Sequence, residues 1–239
     1  MVLAAAREDK LTVAVILMFV AVFLFTLIDS SAKWLILYGL PAVQVIFARY
    51  CGAFLVSILL FIPRGGLNQF VSNNPKLQFS RAIALLGGTT FNFLALQFLP
   101  ITTTIAIFFA MPLVITVLGY FILGEKVGFR RFAAVFFGFL GVLIIIQPWG
   151  EEFHWAMIFS VAALFFASSY FILTRLLAGR DNNATSQLWS SGVATFAIAP
   201  FALQNWYWPQ TNMGFCVLVI IGVFGAFSHI LATHAHLLA

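Results

Sequence analysis

Charge is what this sequence has least of. Asp, Glu, Lys and Arg make up 8% of its 239 residues, where a soluble globular domain carries about 25%. A chain so poor in charge cannot clothe a folded surface against water, which argues against an ordinary soluble enzyme or binding module. Cysteine is scarce as well. Cys51 and Cys216 both lie inside apolar runs without metal-ligand spacing, so neither a zinc site nor a disulfide framework is implied. They are expected to be small packing residues. The Ser, His and acidic residues form no nucleophile motif, and no glycine loop of the phosphate-cradling kind is present. No catalytic residue, metal or cofactor is therefore expected, and the chain does not read as an enzyme. His229 and His236 share a helical face that His234 does not, and no carboxylate lies nearby in sequence, so the three histidines do not suggest a metal site. A cleavable leader is not expected. The first apolar run, from Leu11 past Ile28, exceeds the roughly 7–15-residue core of a signal peptide and is followed by no small-x-small site. The formal charge of +5 does not point to nucleic acid, because the basic residues sit in short gaps rather than on one face.

Apolar residues fill the space that charge leaves. They make up 63% of the chain, with 29 Phe spread along it. A bilayer-spanning helix needs roughly 20 predominantly apolar residues. Eight such runs can be drawn: 11–37, 42–62, 77–98, 101–123, 129–146, 154–177, 185–203 and 212–238. Turn chemistry separates them, as at Gly39-Leu40-Pro41, Pro63-Arg64-Gly65-Gly66, Leu99-Pro100 and Gly179-Arg180-Asp181-Asn182-Asn183. The runs are continuous rather than alternating, which disfavours a membrane β-barrel. The expected fold is an all-α polytopic membrane protein with eight transmembrane helices.

Basic residues set the expected orientation. With the N-terminus inside, Arg7, Lys10, Arg64, Lys76, Arg81, Lys126, Arg130, Arg131, Arg175 and Arg180 fall in inner segments, ten of the twelve Lys and Arg. The outer loops hold none, while Glu151 and Glu152 lie in one of them. This asymmetry predicts a cytoplasmic N-terminus, and Trp149, Trp155, Trp206, Tyr207 and Trp208 then form an outer aromatic belt.

A weak internal repeat runs at an offset of 140 residues, aligning 24–39 with 164–179 and 95–99 with 235–239. Five spans precede the second unit, an odd number, so the two units enter the membrane from opposite sides. The expectation is a pair of inverted five-helix repeats, 1–148 and 149–239, an arrangement common among secondary transporters. The second is expected to be incomplete, with three helices, making the chain truncated or a shortened variant.

Polar residues inside the runs are the candidate site. Thr26, Asp29, Ser30 and Lys33 share a face of the first run, with Asp29 and Lys33 spaced to pair. Intramembrane charges are costly and commonly face a cavity or a partner. Lys33 could equally snorkel to the outer interface with Asp29 neutralising it. Arg49 cannot lose its charge and needs an anion, carbonyl oxygens or water, or else Asp29. Thr89 and Asn92 share a face of the third run and suit either a solute or a neighbouring helix. Asp29, Lys33, Arg49, Thr89 and Asn92 are thus the expected substrate-binding residues. Thr102, Thr103 and Thr104 are expected to cap the fourth run, and Pro112 to kink it. Gly87-Gly88, Gly138 with Gly141, and Gly222 with Gly225 are expected to let helices approach closely.

The stretch 121–145, an apolar helix end followed by Gly124-Glu125, a short basic loop and the Gly-rich run through Gly138 and Gly141, resembles EamA-type members of the drug/metabolite transporter superfamily. So do Pro100 followed by threonines and an arginine early in the second helix, here Arg49. The resemblance implies ten helices in two inverted five-helix repeats and alternating-access transport of a small metabolite; this chain departs from it in lacking the last two helices. Glu125 is expected to steady the inner junction. The segment 25–34 resembles the branch of bacterial importers that includes riboflavin and S-adenosylmethionine transporters. It implies a multi-pass protein of a bacterial inner membrane, with riboflavin the expected solute. Export, another metabolite or a non-transporting remnant are the alternatives. The expected partners are a small-molecule solute and the lipid bilayer, not nucleic acid, and a homodimer is an admissible assembly.

Overall fold

The computed structural model describes residues 2–124, 128–147, 150 and 153–238. The Glu125 and Lys126 junction, Trp149, Glu151 and Glu152 lie outside the described residues, as do the side chains of Arg7 and Arg131. Helix accounts for the fold throughout, and no strand occurs among the described residues. The elements are α1 (Val2–Leu37), α2 (Ala42–Gly65), a 3-10 turn (Leu67–Phe70), α3 (Pro75–Phe98), α4 (Ile101–Phe108), α5 (Met111–Leu123), α6 (Phe129–Ile146), α7 (Met157–Leu177), α8 (Asn183–Ala202) and α9 (Asn212–Leu238).

Each expected run is helical, but the fourth comes as two helices. The break falls at Phe109-Ala110, and Pro112 stands in the first turn of α5. There its missing N–H costs nothing, so the proline starts a new helix instead of kinking an old one. The threonines do not cap α4 either. Pro100 occupies the cap, and the Thr104 hydroxyl donates to the Ile101 carbonyl at 2.8 Å. Left-handed glycines end two helices where a side chain would be strained: Gly39 after α1, at φ +89°, and Gly124 after α5, at φ +67°.

Among the described residues, six helical segments are long and apolar enough to cross a bilayer: Lys10–Leu37, Ala42–Gly65, Pro75–Phe98, Ile101–Leu123, Met157–Leu177 and Asn212–His236. The chain is therefore a multi-pass membrane protein. In α6 the apolar stretch is shorter, Phe132–Gly141. The remaining helix, α8, is long enough but polar inside, burying Thr185, Ser186, Gln187, Ser190, Ser191 and Thr195. Large apolar side chains such as Phe19, Phe121, Phe137, Phe196 and Val219 are exposed, as suits helices whose surrounding medium is hydrocarbon.

The chain packs as two compact units, Met1–Ile83 with Thr174–Ala239, and Ala84–Leu173. In the first, α9 lies between α1 and α2 in its contacts, and α8 packs on α2. Helix α1 buries Ala14, Ala21, Ile28, Ala32 and Leu35, a stripe of sevens, fours and threes that marks one helical face. Gly52 and Gly222 bring α2 and α9 together. A Cβ built on either would stand 2.6–2.8 Å from the other's Cα, so the helices touch backbone to backbone. In the second unit Ala95, Leu99, Ile107, Ala110, Ala156, Met157 and Leu164 form an apolar core. Gly88 there lies 3.3 Å, by its notional Cβ, from the Ala167 backbone of α7.

Candidate functional site

Among the described residues of the first unit two arginines are buried, and they are held differently. Arg49, in the second turn of α2, is 4% exposed, and its Nη2 lies 3.0 Å from Nε2 of His229 on α9, itself 5% exposed. A guanidinium has no lone pair to offer. Nε2 must therefore be the acceptor, which fixes His229 as the neutral tautomer with its proton on Nδ1. Aromatic groups surround the pair. The Phe25 ring of α1 meets the imidazole edge-on at 4.9 Å, and the Arg49 guanidinium carbon lies 4.8 Å from the centre of the Tyr50 ring. Gly225 makes room for the arginine stem: its notional Cβ would lie 3.4 Å from Cγ of Arg49.

Arg81, in the second turn of α3, is fully buried. It donates to oxygens from three other helices: Nε to the Thr174 hydroxyl of α7 at 2.8 Å, Nη1 to the Ser186 carbonyl at 2.9 Å and the Ser190 hydroxyl at 2.6 Å, and Nη2 to the Thr233 hydroxyl of α9 at 3.3 Å. By sequence Arg81 counts only among the basic residues of the inner segments; with these partners it is also an interior fastener. Two of its acceptors lie one turn apart on α8, the Ser186 carbonyl and the Ser190 hydroxyl. The available signal was the arginine itself, several residues inside an apolar run.

Beside Arg81 the loops are tied together. Asp181 accepts from the Ser72 hydroxyl at 2.5 Å, the Asn73 backbone N–H at 2.8 Å and Gln78 Nε2 at 2.9 Å. Gln78 Nε2 also donates to the Ser186 hydroxyl at 3.0 Å, which joins this latch to the Arg81 cluster. Burial by itself would raise the Asp181 pKa, but the hydrogen bonds from Ser72, Gln78 and Asn73 outweigh it and hold the carboxyl below its ordinary value. The next residue, Asn182, caps α8 by accepting from the Thr185 N–H at 2.7 Å. From the first turn of α2, Gln44 clamps Tyr207 of the segment that follows α8. Its Nε2 donates to the Tyr207 carbonyl at 2.6 Å and its Oε1 accepts from the Tyr207 N–H at 2.9 Å. A cleft of about 430 Å³ beside this clamp is lined by Pro41, Val43, Gln44, Phe201, Ala202, Asn205 and Tyr207. None of the five expected binding residues lines it.

Those five are distributed as follows. Arg49 is central to the cluster just described. Asp29 and Lys33 lie half-buried on α1, one and two turns beyond Phe25, while Thr26 turns its hydroxyl back to the Val22 carbonyl at 3.1 Å. Thr89 and Asn92 are buried on the part of α3 that belongs to the second unit. His229 is the site residue that sequence reasoning missed. Considered only as a metal ligand, it has no role. As an ionisable group halfway along an apolar helix, it signals function in the way Asp29 does.

A model of the EamA-like transporter family matches residues 12–147. A protein named riboflavin transporter from Vibrio cholerae is 30% identical over 212 residues, covering 84% of this chain and 68% of that protein. Another protein of that name, from Rhizobium johnstonii, is 27% identical over 97% of this chain and 77% of its own length. An S-adenosylmethionine uptake transporter from Rickettsia prowazekii is 26% identical over 86% of this chain and 70% of its own.

Proposed function

The chain belongs to the EamA-like transporter family, and we propose that it is a secondary transporter taking up riboflavin across a bacterial inner membrane. The observation that carries this is the buried Arg49 with Phe25, Tyr50 and His229 around it, inside helices apolar enough to span lipid. An interior guanidinium is expensive in a membrane unless it serves a solute or partner. Its forked N–H groups suit carbonyl oxygens, and riboflavin's ring system carries carbonyls along one edge and a flat face for aromatic contact. Relatives named riboflavin transporter support the choice of solute.

In this proposal the N-terminus is cytoplasmic, and α6 and α8 also cross the membrane, giving eight spans in two inverted repeats, 1–148 and 149–239. Arg49 contacts the solute, and Asp29, Lys33, Thr89 and Asn92 are the further residues assigned to binding it. Alternating access moves the solute between the two sides.

Uptake by a riboflavin-requiring cell without its own importer tests the proposal. The chain is expected to restore growth at low riboflavin, and Arg49→Ala to abolish that rescue while remaining in the membrane. Rescue undiminished by Arg49→Ala would overturn the site. No rescue and no uptake of labelled riboflavin by the inserted protein would overturn the substrate. S-adenosylmethionine is the second candidate, favoured by the relative of that name, and uptake of that compound alone would select it.

A further inference from the structure

We propose that His229 is a proton-binding site that couples transport to a proton, by exchanging its hydrogen bond from Arg49 for a proton at Nε2. The proposal rests on the transport role given above and extends it to the energy source. The geometry is specific. Arg49 Nη2 donates into the Nε2 lone pair at 3.0 Å, with both residues buried. That lone pair holds either the arginine hydrogen bond or a proton, and never both. When a carbonyl or carboxylate oxygen of the solute draws the Arg49 N–H groups away, the Nε2 lone pair is freed and takes a proton. The imidazolium and guanidinium then stand donor to donor, which keeps their contact open while the solute is bound. At the other membrane face the solute leaves, the proton leaves Nε2, and the Arg49 bond re-forms. One proton crosses with one solute, and no covalent bond other than N–H is made or broken.

The surroundings make the exchange conditional on the solute. Arg49 of α2 and Arg81 of α3 both act electrostatically on the His229 ring, and Phe25 of α1 covers its edge at 4.9 Å. Along α1, Asp29 and Lys33 follow Phe25 by one and two turns. Helix α8 carries no ionisable side chain from Asn183 to Ala202, and α9 itself adds His234 and His236. With two cations near the ring, a proton is accommodated best when a solute oxygen has engaged the Arg49 charge, and that dependence is what ties the two movements together.

The test uses the full chain in proteoliposomes with the membrane potential clamped at zero. Riboflavin counterflow and gradient-driven accumulation are measured in wild type, His229→Gln and His229→Asn. The amide side chains keep an oxygen for Arg49 but take up no proton. An inward gradient of one pH unit is expected to drive about tenfold accumulation by wild type, since each tenfold is worth about 1.4 kcal/mol. A trapped pH indicator should report one proton entering per riboflavin. At least one amide variant should retain counterflow and lose the response to pH. Wild-type counterflow without a pH response overturns the coupling proposal alone. A pH response retained in both amide variants, or counterflow lost in both, overturns the assignment to His229. Absence of wild-type counterflow overturns the riboflavin proposal, and this one with it.

Discussion

Arg49 and Arg81 are both buried in the same packing unit, yet their surroundings differ in kind. Arg81 donates to oxygens that take up no proton, among them a backbone carbonyl and three hydroxyls on α7, α8 and α9. Arg49 donates to an imidazole nitrogen that can itself take a proton, beside two aromatic rings. Burial by itself therefore does not mark a transport residue. In the proposal made above, the chemistry of the partner does: fixed oxygens make a fastener, and an exchangeable nitrogen lets Arg49 turn to a solute.

Replacing each arginine is the most forceful way to break this comparison. Arg81→Ala removes at least the four hydrogen bonds described above. At roughly 0.6 kcal/mol for a bond between membrane helices, the loss is about 2–3 kcal/mol before the empty space is counted. The expected result is a large drop in folded yield and thermal midpoint, read by size-exclusion chromatography at rising temperature. Arg49→Ala should lower riboflavin uptake about tenfold or more, equivalent to about 1.4 kcal/mol, with a thermal midpoint near wild type. A reversal of the two phenotypes would exchange the roles assigned here.

Smaller perturbations sharpen the contrast, because they reach Arg81 through its neighbours and leave Arg49 alone. Asn182→Ala removes the α8 cap and should cost about 1 kcal/mol of stability, seen as a lower midpoint with uptake per folded molecule unchanged. Asp181→Asn should loosen the loop latch by less at neutral pH. The sign of its pH dependence follows from the carboxyl's lowered pKa. The Asp181 contribution is complete above the unfolded value of about 3.9 and is lost as pH falls through the lower folded value. Wild type and Asp181→Asn should therefore converge in acid unfolding curves and separate toward neutral pH.

How far the sequence disclosed all this depended on which physical signal each feature carried. Apolar run length located the helices, because hydrocarbon demands about the same length from each span. It could not show that run four would divide at Phe109-Ala110, since Pro112 is equally at home in a kink and in a first turn. Among the glycines expected to pack closely, Gly88 and Gly222 each meet a backbone while Gly141 faces open space, and the partner of Gly222, Gly52, has no periodic neighbour to reveal it. Arg49 stood out as a charge deep in an apolar run. Arg81 did not, because it lies near the start of its run, where topological charges also gather, and its acceptors are 93 to 152 residues away. His229 was hidden for the same reason. Its meaning comes from a partner 180 residues distant on another helix.

Riboflavin's own fluorescence gives the most direct test of Arg49 as the solute contact. Purified wild type and Arg49→Ala, each in lipid nanodiscs and each shown to be folded, would be titrated with riboflavin. Wild type is expected to quench the emission saturably as the ring enters the aromatic surroundings of Arg49, and Arg49→Ala to give no saturable quenching. Equal quenching by the two proteins would contradict the assignment.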